Sequence, residues 1–149
     1  MSNKIKHLQL KMLNNNLSEI HMCDRPSRGW LASIRNTIGM SSRQMAERMG
    51  ISQQSASKLE KNEIDNSITL KSLRKAAEAM DCKLVYAIVP NDGNLEDLLK
   101  KQALKKAREI VVSVDRTMQL EDQRVGNLEA KIQETSDILL RDVYSKLWD

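Results

Sequence analysis

The stretch Met40–Asn62, MSSRQMAERMGISQQSASKLEKN, constrains this chain more than any other. Gly50 separates two short segments, each opening on a serine and carrying apolar or small residues at helical spacing. In the first, Ser41 stands at an N-cap with Gln44 three residues on, where cap and third residue satisfy each other's backbone amides. Met45 and Met49 then face inward. In the second, Ser52 is the cap and Ala56 and Leu59 turn inward, up to about Lys61. Gly50 can adopt the positive φ that the turn demands, Ile51 plugs it, and small Ala46 lets the helices cross closely. This is the layout of a helix-turn-helix. It leaves Gln53, Gln54, Ser57 and Lys58 pointing outward.

The remaining sequence supports an almost all-α chain. Its 149 residues contain no Phe, 3% aromatic residues, five Gly and two Pro, which disfavours turn-rich β-sandwiches and aromatic-lined ligand pockets. Ile5, Leu8, Met12, Leu13, Leu17 and Ile20 lie near helical spacing, and Pro26 breaks the pattern by pushing Arg25 out of the helical region. Trp30, Leu31, Ile34 and Ile38 predict an apolar helix face ended by Gly39. Thr69 caps a further helix with Leu70, Leu73, Ala76, Ala77 and Met80 on its face. Leu84 to Val89 breaks the rhythm and reads as one short strand closed by Pro90. After Asn94, with Asp97 three residues on, Leu95 to Met118 marks a long amphipathic helix. Leu128, Ile132, Leu139, Val143 and Leu147 predict a last helical segment or two. The expected organisation is an N-terminal helical segment (1–24), a helix-turn-helix domain (25–81), a dimerisation strand (82–90) and a C-terminal helical arm (91–149).

Charge is uneven along this chain. Residues 1–75 hold 13 basic against six acidic side chains, and the remainder 11 against 14. A basic front half suits a polyanion such as double-stranded DNA, and an acidic back half suits a different partner. The longest apolar run is the six residues Leu84–Val89, far short of the roughly 20 that span a bilayer. The N-terminus lacks the apolar core of a signal peptide, so the expected location is the cytoplasm. There Cys23 and Cys82 read as small buried hydrophobes rather than a disulfide. With His7 and His21 they match no zinc spacing, and no metal or other cofactor is expected. No phosphate-binding Gly loop, nucleophile elbow or His beside a nucleophile is present, so the chain does not read as an enzyme.

Docking geometry assigns roles to the outward residues. The helix opened by Ser52 would lie in the major groove with its N-terminal residues nearest the bases. Gln53 and Gln54 can each pair bidentately with adenine, and Ser57 can donate or accept. Ser42 and Arg43, at the start of the preceding helix, are placed to meet a phosphate. Arg28, Lys58 and Lys61 are further phosphate candidates. The strand has apolar residues at both parities, which implies burial on both faces. That predicts a homodimer with antiparallel pairing of two copies, unless an N-terminal segment of the same chain supplies the partner.

Met40–Asn62 resembles the Cro/repressor-type (XRE-like) helix-turn-helix, which implies a lambda-repressor-like core. More narrowly, RPSRGWLASIRNTIGM, GISQQSASKLEKNE, ITLKSLRKAAEAMDCKLVYAIVP, LEDLLKKQALKKA, TMQLEDQ and the terminal LWD are similar to mobile mystery protein A. The resemblance runs from Arg25 to Asp149 with the motifs in the family's order. It implies an antitoxin encoded beside a Fic-domain toxin, one that represses its own operon and neutralises that adenylyltransferase. The alternative is a stand-alone dimeric repressor of a mobile element, whose C-terminal helices serve dimerisation or a small-molecule cue. Fic inhibitors of this kind carry Ser or Thr, three residues, Glu, then Gly or Asn. Thr117 and Glu121 supply that Thr and Glu, with Asp122 standing where Gly or Asn belongs. The resemblance thereby assigns the toxin-inhibiting contact to Thr117 and Glu121.

Overall fold

A computed structural model describes residues 3–20, 23–120, 127–142 and 144–149. Among them lie the helices α1 (Asn3–Ser18), α2 (Trp30–Thr37), α3 (Ser42–Met49), α4 (Gln53–Ile64), α5 (Leu70–Ala79), α6 (Leu95–Leu120) and α7 (Leu128–Arg141). A 3-10 turn, Tyr144–Leu147, follows α7. The chain divides into two compact units, residues 22–86 and residues 1–21 with 87–149.

In the unit of residues 22–86, short helices start where serine and threonine can cap them. Ser41 Oγ accepts the Gln44 amide at 3.2 Å while Gln44 Oε1 accepts the Ser41 amide at 2.8 Å. Ser52 Oγ accepts from Ser55 N and Thr69 Oγ1 from Ser72 N, both at 3.1 Å. Each cap satisfies amides that the first helical turn leaves without a partner. The four helices enclose Leu31, Met45, Ala46, Ala56, Ala76, Ala79 and Met80. Four of these seven are alanines, so backbones approach closely and a longer side chain would have to displace a helix.

The other unit packs α6 against α7. Ala103, Ala107 and Val111 form one buried stripe of α6, while Ile132, Ser136 and Leu147 are buried opposite. Asn94 and Asp97 cap α6 reciprocally, at 3.0 and 3.1 Å. Asn14 of α1 takes the Leu95 amide at 3.0 Å. The chain's end is held by Gln102, whose Nε2 donates to the Leu147 carbonyl at 2.6 Å.

Three expectations need correction. Residues 82–90 form neither strand nor helix, and no strand occurs among the described residues. Val85, Tyr86 and Ile88 are 69%, 61% and 89% exposed, so burial on both faces is not realised. A run of Val, Ile and Tyr expresses a preference for a pleated surface, but a ladder also requires a second row of amides and carbonyls, and none of the described residues supplies one. The intersubunit strand pairing drawn from this run falls with it. Cys23 is exposed and Cys82 half-buried, both free thiols, so neither is a fully buried core residue. Of the expected α2 face, Leu31 and Ile34 pack on the core with Ala32 buried beside them, whereas Trp30 and Ile38 are 40% and 53% exposed.

Candidate nucleic-acid interface

The turn between α3 and α4 is set by backbone geometry. Gly50 is left-handed, at φ 67° and ψ 33°, and Ile51 donates to the Ala46 carbonyl at 3.0 Å. A Cβ at Gly50 would meet nothing within 4 Å, so the positive φ, rather than crowding, requires glycine. Gly50→Ala is therefore expected to cost about 1 kcal/mol of stability, measured by urea unfolding of the full chain.

Beyond this turn the sides of α4 are sorted. Ala56 is 0% exposed and Leu59 half-buried, which fixes the helix's rotation on the core. Gln53, Gln54, Ser57, Lys58 and Lys61 are exposed together on the side away from it. The structure thus brings four residues singled out from sequence, Gln53, Gln54, Ser57 and Lys58, onto one solvent-facing helix surface. Two amides, a hydroxyl and an ammonium are suited to base edges and phosphates.

The other sequence-derived residues are placed differently. Ser52 Oγ is engaged in the cap and lies 2.8 Å from Ser55 Oγ, so it first serves to start the helix. Ser42 is half-buried at the first position of α3. Arg43 is exposed and pairs with Glu47 one turn on, Nε to Oε1 at 3.0 Å. Exposed i,i+4 pairs are worth about 0.3–0.5 kcal/mol, so Arg43 can exchange this carboxylate for a phosphate at small cost. Arg28 is exposed as well. In the other unit, Thr117 is exposed and its hydroxyl donates to the Ser113 carbonyl at 3.1 Å. Glu121 lies outside the described residues.

Sequence reasoning missed the polar clasp that holds α2 against α4. Glu63, 4% exposed, accepts the Trp30 amide at Oε1 (2.7 Å) and the Leu31 amide at Oε2 (2.9 Å). It thereby caps α2 in place of Gly29, which has no side chain to do so. Gly29 has φ 79°, and a Cβ there would stand 2.7 Å from Glu63 Oε2. Arg25 donates to the Glu63 carbonyl at 2.6 Å and to Asn66 Oδ1 at 3.0 Å. Arg35 grips Glu60 two-pronged through Nε and NH2 and also donates to the Met40 carbonyl at 2.8 Å. A signal was available. Glu60 and Glu63 fall on the same side of α4 as Ala56 and Leu59, and a carboxylate on an inward stripe implies a buried partner.

Among the described residues no helix is long and apolar enough to cross a membrane, and no three His, Cys, Asp or Glu side chains group as a metal site. No curated protein and no solved structure matches the chain. Residues 31–86 match the helix-turn-helix family model, a span that begins in α2 and continues past α5. This chain therefore carries at residues 31–86 a helix-turn-helix domain of the XRE type, the DNA-binding module of transcription regulators.

Proposed function

We propose that the protein is an antitoxin that represses its own operon, reading the operator with α4 and neutralising a Fic-domain adenylyltransferase through residues 91–149. The observation that carries the DNA reading is the solvent-facing group Gln53, Gln54, Ser57 and Lys58 on a helix fixed by Ser52, Ala56 and Leu59. In this reading Gln53 and Gln54 contact base edges, Ser57 adds a donor or acceptor, and Lys58, Ser42 and Arg43 meet phosphates. Ser52 sets the height of the helix start. Two copies form a homodimer, so that two α4 helices read a pseudo-palindrome with half-sites about one helical turn apart.

The toxin-neutralising part is supported by the resemblance that runs through LEDLLKKQALKKA, TMQLEDQ and LWD. Glu121 would pair with an active-site Arg of the toxin and keep the ATP γ-phosphate from its productive position, since Arg binds carboxylate and phosphate with the same two-pronged geometry. Thr117, the first residue of TMQLEDQ, is exposed.

One experiment tests both halves. The full chain is expected to shift DNA from its own promoter and to co-purify with a Fic protein encoded next door. Glu121→Ala should bind that protein yet fail to suppress its auto-adenylylation. Promoter binding without any Fic partner would leave the stand-alone repressor as the correct reading. Equal suppression by wild type and variant would remove Glu121 from the inhibitory contact.

A further inference from the structure

An open cleft of about 310 Å³ lies between α4 and α5, and it adjoins the outward surface of α4. Its polar lining is Ser55, Lys58 and Asn62 from α4 with Ser72 and Lys75 from α5, above an apolar floor. No carboxylate lines it. Neither Lys58 nor Lys75 has an acidic partner among the described residues, where seven ion pairs hold other side chains. Two ammonium groups thus border one cleft that no carboxylate lines.

The hydroxyls add a donor. Thr69 Oγ1 accepts the Ser72 amide at 3.1 Å and donates to Ser72 Oγ at 3.0 Å. Ser72 Oγ is used as an acceptor there, so its proton remains free for a ligand. The resulting set, two ammoniums, a hydroxyl and the Asn62 amide, has the chemistry of a phosphodiester site. The cleft is open to solvent rather than enclosed, which suits a continuous strand passing over it. Lys58 belongs both to the cleft and to the outward face of α4, which ties the two into one surface.

We propose that this cleft seats a DNA backbone phosphate, with Lys75 of α5 and Lys58 of α4 as its ammonium partners and Ser72 as a hydroxyl donor. It rests on the DNA-binding reading of α4 and adds α5 to it. Lys75 is a positioning residue: it fixes the register of α4 on the duplex and reads no base.

The test is fluorescence anisotropy of the full chain on labelled duplexes of arbitrary sequence across a range of KCl concentrations. Each lysine charge withdrawn from the DNA backbone is expected to lower the slope of log affinity against log salt by about 1. Lys75→Gln is expected to lower the slope by about that amount and to weaken every duplex by the same factor. Lys75→Arg, which keeps the charge, should retain the slope. Lys75 is exposed, and thermal unfolding of each variant checks that the fold is intact. Wild-type protein without salt-dependent DNA binding would overturn the DNA reading itself. Wild-type binding with an unchanged slope in Lys75→Gln would overturn the cleft alone, whether the cleft is then empty or serves free phosphate. A Lys75→Gln protein that changes its preference between duplexes would overturn the positioning role.

Discussion

Replacing Glu63 by Ala is expected to remove about 3 kcal/mol from the unit of residues 22–86, because two hydrogen bonds to one buried carboxylate disappear together. The donors at stake are the amides of Trp30 and Leu31, at 2.7 and 2.9 Å. They belong to the first turn of α2, where no amide has an intrahelical acceptor. Gly29 offers no side chain to replace the lost oxygens, and Leu31 is 2% exposed, so water reaches its amide poorly. The charge matters too, since a carboxylate at a helix N-terminus meets the positive end of the helix dipole. Glu63→Gln removes that charge and turns one acceptor into a donor facing an N–H, so it should recover little.

Arg25 isolates the effect. It binds the Glu63 main-chain carbonyl at 2.6 Å, which the substitution leaves in place. Gly29→Ala attacks the same clasp from the other side, since its Cβ would stand 2.7 Å from Oε2. Against a typical domain stability of about 5–15 kcal/mol the Glu63 loss is large. Circular dichroism of thermal and urea unfolding reads it. A loss under about 1 kcal/mol would mean that the carboxylate does not cap α2 in solution.

What was legible in the sequence was local. Ser41 with Gln44, Ser52, Thr69, and Asn94 with Asp97 all satisfy amides within three residues of themselves, so their spacing carries the whole interaction. Gly50 was legible for the same reason, because a turn between two helices is a local demand for positive φ. The inward stripe of α4 hinted that Glu63 is buried but could not name its partners, as Glu63 and Trp30 stand 33 residues apart and only the fold brings them together. Residues 84–89 show the opposite failure. Their side chains satisfy every local preference for a strand, yet strands are made by partners, and local preference cannot supply one. The misplaced Trp30 follows from the same limit. Apolar spacing gives α2 a face, but the Glu63 cap and the Arg35–Glu60 pair decide which side is held to the core.

The second large effect concerns recognition rather than folding. Replacing Gln53 and Gln54 together by Ala is expected to erase most of the preference for operator over random DNA. Neither side chain makes a hydrogen bond among the described residues, and both are exposed at the start of α4. Ala is the stronger helix former, so the double variant should fold at least as well as wild type. A change in binding then reports contacts to DNA alone. Each bidentate amide–adenine contact discriminates by about 1–3 kcal/mol, and contacts to separate base pairs add approximately. The operator should therefore weaken by about 2–6 kcal/mol, roughly thirtyfold to more than ten-thousandfold. Random duplex should hold its affinity, since Lys58 and the other proposed phosphate partners are untouched. Lys58→Ala gives the contrasting pattern, a loss shared by all duplexes. Gel-shift titrations of operator and scrambled duplex at one salt concentration separate the two. A double glutamine variant that kept its full operator preference would show that sequence is read elsewhere, and α4 would lose its assignment as the recognition helix.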